Sequence, residues 1–169
     1  MSEQSGNHKN LIGLDIGATG AIALLTGAGE LIDIWDMPVL ADGPAGRRAV
    51  NPALLAELVF ASHATRAFVE HVSARPGEGP TGAFAFGRAR GCVEGCLAAT
   101  AIPTAFLTPA TWKRLVGIPP GRTGAKDAAR SEAIRRWPAH AKLFARVKDD
   151  GRAEAALIGL AGILREASR

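Results

Sequence analysis

Four carboxylates stand where an apolar core would not ordinarily place them. Asp15 lies inside Leu11-Ile12-Gly13-Leu14-Asp15-Ile16-Gly17, and Glu70 closes Ala67-Phe68-Val69-Glu70. Asp150 and Glu154 fall within Lys148-Asp149-Asp150-Gly151-Arg152-Ala153-Glu154. Carboxylates rarely enter apolar surroundings unless they are paired or bind metal. Two at the ends of neighbouring strands, plus one or two at a helix start, can converge on one point. An all-oxygen set of this kind suits hard cations such as Mg²⁺. Two such ions about 4 Å apart activate water and steady a leaving oxygen in phosphodiester hydrolysis. Taken singly, each acid has an ordinary reading. Asp15 serves equally as a turn residue, Glu70 as a strand end, Asp150 as a helix cap and Glu154 as a solvated helix residue. Their joint order carries the metal-site expectation.

The elements that would position these groups follow from periodicity and punctuation. Residues 11–25 read as a buried strand carrying one charge, and residues 31–37 alternate as a second strand antiparallel to it. A weak third strand signal falls in residues 39–50. Asn51-Pro52 is a helix start, cap then proline, for a helix to about residue 63. Residues 66–70 form a short buried strand. Residues 81–100 form a helix rich in Gly and Ala, whose small residues permit close packing. Residues 104–107 form another strand, and Thr108-Pro109 opens a short helix. A further helix spans residues 126–137 and stops at Pro138, and Asp149 or Asp150 caps a last one that runs to about residue 168. Early antiparallel strands followed by βα units imply an α/β fold, a mixed sheet of about five strands flanked by helices. Residues 1–9 are expected to be a disordered tail, and residues 10–169 a single domain.

Composition narrows the function classes. The chain of 169 residues carries 20 Lys and Arg against 16 Asp and Glu, a net charge of +4 that mildly favours an acidic partner such as nucleic acid. Cys92 and Cys96, with no companion ligands, make a poor zinc site and read as two small hydrophobes on one helix face. No apolar stretch reaches the roughly 20 residues of a membrane span. No secretory signal is seen, so a cytoplasmic (bacterial or phage-infected host) or organellar location is expected, not a secreted one.

Several segments resemble the RuvC-type Holliday junction resolvases, members of the RNase H-like superfamily, and most of all their compact phage-like relatives. Gly13-Leu14-Asp15-Ile16-Gly17 is similar to the family's first strand with its catalytic Asp, and Phe68-Val69-Glu70 to its strand-end Glu. Gly87-Arg88-Ala89-Arg90-Gly91 resembles a Gly-Gln-Ala-Arg-Gly helix segment. Thr108-Pro109-Ala110-Thr111-Trp112-Lys113 and Ala125-Lys126-Asp127 resemble two lysine stations that approach DNA. Asp150-Gly151-Arg152-Ala153-Glu154-Ala155 is similar to the final helix that supplies the remaining ligands.

The resemblance implies an RNase H-like nuclease domain, a homodimer, two Mg²⁺ or Mn²⁺ ions per site, and paired symmetric nicks at a four-way junction. The implied catalytic and metal-binding residues are Asp15, Glu70, Asp150 and Glu154. Lys113, Lys126, Arg88, Arg90, Arg114 and Arg122 are the expected DNA contacts. The family's final helix usually shows two acids, or His then Asp, three residues apart, whereas here Gly151 occupies that place. Asp150 is preferred over Asp149 as fourth ligand because it shares the face of Glu154, while Asp149 lies about 140° around the helix. Phe84 and Phe86 are core residues or a wedge against bases. Trp112 and Trp137 are read as packing residues, and His71 as a weak neighbour of the site. Alternative functions are an RNase H-like nuclease acting on RNA or RNA–DNA hybrid, or a non-catalytic junction-binding dimer. The segment 14–20 also resembles the first phosphate loop of sugar-kinase and actin-type ATPases, but that class needs two such domains.

Overall fold

A computed structural model describes residues 9–42, 46–71, 73, 77, 79–120 and 125–168. The polar stretch expected to be a tail therefore falls almost wholly outside the described residues. The elements are β1 (Leu11–Asp15), β2 (Ala21–Leu25), β3 (Leu31–Asp36), β4 (Val39–Ala41), β5 (Arg48–Val50), α1 (Pro52–Ala61) and β6 (Arg66–Glu70). They are followed by α2 (Pro80–Ala99), β7 (Thr104–Leu107), α3 (Pro109–Val116), α4 (Ala125–Arg136), two short 3₁₀ turns and α5 (Asp150–Ala167).

The main sheet has five strands in the order β3-β2-β1-β6-β7, antiparallel from β3 to β1 and parallel from β1 through β6 to β7. This is the mixed sheet the sequence predicts. The weak signal in residues 39–50 resolves into β4 and β5, an antiparallel pair outside the main sheet.

Residues 11–25 are two strands and not one. Gly17, at φ +137°, and Gly20 reverse the chain, and the Gly20 N–H donates to the Gly17 carbonyl at 3.1 Å. Asp15 and Ala21 then face each other across the hairpin. The uniform apolarity of both strands hid the break, because burial on both sheet faces removes the alternation that marks strand ends.

Two cores sandwich the sheet. On one face α3, α4 and α5 close over Phe68, Leu107, Trp112, Phe144, Leu157 and Ile158. On the other, α1 and α2 cover Ile12, Leu14, Ile22, Val69, Leu55 and Leu97. α5 lies directly on β1. A Cβ on Gly13 would stand 2.2 Å from the Ala155 carbonyl oxygen, so only glycine lets the helix backbone approach the strand this closely. Local caps behave as expected. The Asn51 side chain accepts from the N–H groups of Ala53 and Leu54 at 3.1 and 3.3 Å, and Thr108 accepts from Thr111 at 3.3 Å.

Candidate active site

Strand alternation places Asp15 and Glu70 together. Successive strand residues point to opposite faces, so Asp15 shares a face with Leu11 and Gly13, and Glu70 shares one with Phe68. Both are the face covered by α5. β1 and β6 run parallel with Leu14 beside Val69, so Asp15 and Glu70 are the next residues of adjacent strands. Both are half-buried, a placement that leaves the carboxylates within reach of solvent.

The first turn of α5 meets Asp15 from above. A Cβ on Gly151 would stand 2.4 Å from the Thr19 carbonyl oxygen and 3.2 Å from Asp15 Oδ2. The departure from the family's spacing thus has a steric cause. No side chain fits at position 151, so an acid three residues before Glu154 is excluded. Asp150 and Glu154, four apart, are both half-buried, while Ala153, Ala155 and Ala156 between and after them are buried.

Asp149 has a different partner. It is only 1% exposed, and the Arg146 guanidinium donates to both of its oxygens at 2.8 to 3.1 Å while the Arg146 backbone N–H adds a bond at 2.9 Å. Burial works to push its carboxyl up, but the bonds from Arg146 outweigh this and hold it below the ordinary range. Asp149 occupies the N-cap position of α5, yet its side chain makes no cap hydrogen bond there. The expectation that an acid caps this helix with its side chain is corrected accordingly: the carboxylate points back to Arg146. Arg152 adds a second tether, donating to both oxygens of Asp36 at the end of β3 at 2.6 and 2.7 Å. That pair lowers the Asp36 carboxyl.

Trp112 has a polar partner that the sequence reading missed. Its indole Nε1–H donates to Glu70 Oε1 at 2.8 Å, although the ring is fully buried. The residues are 42 apart in the chain, so no local pattern announces the bond. The nearest signal is topological: β7 pairs with β6, Leu107 beside Glu70, and α3 starts immediately afterwards. Trp137 also has a polar partner, donating to the Gly29 carbonyl at 3.0 Å. His71, beside Glu70, packs edge-on to Phe106 and donates its backbone N–H to Leu107.

The expected cations are distributed unevenly. Lys113 lies next to Trp112, its Nζ 5.2 Å from the indole centroid, and Arg114 is exposed on the same helix. Arg88 pairs with Asp42. Arg90 pairs with Glu94 at 2.7 Å and lies over the Phe106 ring at 5.6 Å. Lys126 is the second residue of α4, and Arg122 lies outside the described residues. A groove of about 890 Å³ is lined by Gly17 and Ala18, by residues of β5, and by residues of α2 that include Arg88. Phe84, 73% exposed, lines it, while Phe86 is half-buried, so neither belongs to the core. Cys92 and Cys96 also line it; half-buried, they pack against the core as the small-hydrophobe reading expects, and partial burial pushes both thiols up.

The donor set is all oxygen and sits on three elements, which fits a hard cation in kind. As the side chains stand, no three His, Cys, Asp or Glu among the described residues are gathered closely enough to hold one. Among the described residues no helix is long and apolar enough to cross a membrane.

No family model matches this sequence, and no curated protein does. Solved structures do. RuvC from T. thermophilus in complex with Holliday junction substrate matches at 14% identity with a TM-score of 0.58, covering 95% of this chain and 96% of that one. A second Thermus thermophilus RuvC structure matches at 15% identity with a TM-score of 0.53, covering 94% and 96%. Over nearly its whole length this chain therefore has the fold of RuvC, a mixed five-stranded sheet of the RNase H-like kind flanked by helices.

Proposed function

We propose that this chain is a divalent-metal-dependent endonuclease that cuts four-way DNA junctions as a homodimer. One observation carries the reading: Asp15 and Glu70 end adjacent parallel strands on the face that α5 covers, and the first turn of α5 abuts Asp15. The likeness to RuvC bound to a Holliday junction supports the choice of substrate.

Asp15, Glu70, Asp150 and Glu154 are the residues that would hold Mg²⁺ or Mn²⁺. Two ions per site, when bound, would supply activation of water and stabilisation of the leaving 3′ oxygen. The protein's own part is to aim the carboxylates. The close contact of Gly151 with the β1–β2 turn sets the height of α5 over Asp15, and the Asp36–Arg152 pair holds that end of the helix to β3. Lys113 and Arg114 on α3, Arg88 and Arg90 on α2, and Lys126 and Arg122 by the family resemblance are assigned to phosphate contact. Such contacts would dominate affinity and weaken it as salt rises. A two-fold dimer would present two sites to a substrate with its own two-fold character.

Labelled four-way junction, fork, linear duplex and RNA–DNA hybrid, each with Mg²⁺ or EDTA, test the reading alongside Asp15→Asn and Glu154→Gln. Paired symmetric nicks in the junction, absent with EDTA and in both variants while junction binding persists, are expected. Preferred cutting of the hybrid would move the chain to RNA-directed chemistry. Tight junction binding without any cutting would leave a binding module.

A further inference from the structure

The Trp112 indole is a buried donor aimed at a candidate metal ligand. It has one N–H and no acceptor, so it can satisfy itself only on an oxygen such as Glu70 Oε1, 2.8 Å away. Full burial of the ring leaves no water to replace that partner, and a buried donor without one is costly. The bond therefore selects the Glu70 conformation in which Oε1 reaches the indole. The ring is itself held firmly. α3 is capped by Thr108, follows β7 directly and packs under α5 within the core that also holds Val116, Leu107 and Phe68. Lys113 Nζ stands 5.2 Å from the indole centroid. A cation over the ring face draws π density toward itself and makes the N–H a stronger donor.

We infer that Trp112 is a positioning residue for Glu70: it fixes one carboxylate oxygen through the indole N–H so that the other is presented to a divalent cation. This rests on the proposed function only in taking Glu70 as a metal ligand. Partners that orient metal ligands from behind typically change metal affinity by about 10- to 100-fold when removed. Trp112→Phe keeps a six-membered aromatic ring in the core and removes the five-membered ring that carries the N–H, which also leaves a small cavity at this buried site.

The test uses the full chain and Mn²⁺ or Mg²⁺ alone as probe. Calorimetric titration should show Trp112→Phe binding Mn²⁺ about 10- to 100-fold more weakly, with junction affinity in EDTA unchanged. The Mg²⁺ concentration for half-maximal cleavage should rise by a similar factor, while the rate at saturating Mg²⁺ falls less. An unchanged midpoint in a folded Trp112→Phe protein would overturn the inference.

A second measurement needs no variant at that position. The ¹⁵N-labelled wild-type chain has three tryptophans, hence three indole N–H resonances, and Trp35→Phe and Trp137→Phe identify the third by elimination. That resonance should shift with Mg²⁺ occupancy, and a resonance that stays fixed through saturation would overturn the inference. The two readings fail separately. Mg²⁺-dependent, Asp15-dependent cleavage with an unmoved Trp112 signal removes the positioning role and keeps the nuclease. A moved signal and weakened Mn²⁺ binding without cleavage of any substrate keeps the positioning role and removes the nuclease.

Discussion

Gly151→Ala isolates the contact that sets α5 over Asp15. The added Cβ would stand 2.4 Å from the Thr19 carbonyl oxygen and 3.1 Å from Gly20 Cα, whereas ordinary contacts begin at 3.4 Å. Both neighbours are backbone of a tight turn and cannot rotate away as a side-chain tip could, so the helix end or the turn must move. Overpacking of this kind costs about 1–3 kcal/mol. The helix-propensity gain of alanine over glycine, at most about 1 kcal/mol, is small at the second residue of a helix. For a chain of this size each kcal/mol moves Tm by about 2–4 °C, so the variant should melt about 2–12 °C lower.

Gly87→Ala is the matched control. No atom lies within 4 Å of its Cβ position, and the residue is exposed in the interior of α2. It should gain up to about 1 kcal/mol and melt slightly higher than wild type. The assay is thermal unfolding by circular dichroism in EDTA, which keeps metal binding out of the comparison. A Gly151→Ala protein that melts with or above wild type would refute the packing described for α5. On the proposed function, moving the acid to the family's spacing with Asp150→Asn and Gly151→Asp together should not restore cleavage.

Asp149 is held below the ordinary carboxyl range by Arg146, so its stabilising effect is present at neutral pH and fades as pH falls below the usual Asp value. Asp149→Asn should therefore lower Tm at pH 7, and the gap to wild type should close in melting curves taken toward pH 3. Asn51→Ala removes the cap on α1 and should cost about 0.5–2 kcal/mol, read as a lower urea midpoint with an unchanged slope. Glu154→Gln should abolish junction cleavage and leave gel-shift affinity intact; loss of binding in a folded variant would contradict the proposed role. Trp112→Phe should shift the metal dependence more than the saturated rate.

Local chemistry made much of this protein legible in its sequence. Asn51-Pro52 and Thr108-Pro109 start helices because a side-chain acceptor followed by a residue with no N–H satisfies the first turn, whatever the rest of the chain does. Residues 66–70 and 104–107 form strands as expected, and Asp15 and Glu70 end theirs because a charge cannot continue into a buried apolar run. Part of what remained undecided depends on partners far along the chain, and part on local contacts that leave no pattern in residue type. The reversal at Gly17 and Gly20 is invisible in a run that is buried on both sides. Asp149 and Asp150 are neighbours of the same type, and the structure shows that the carboxylate of Asp149 is held by Arg146. Trp112 reads as packing until β7, paired to β6, delivers α3 beneath Glu70. Burial and capping act over a few residues and so leave a pattern in the sequence. A hydrogen bond between side chains 42 residues apart depends on where the strands lie, and the tertiary structure alone decides that.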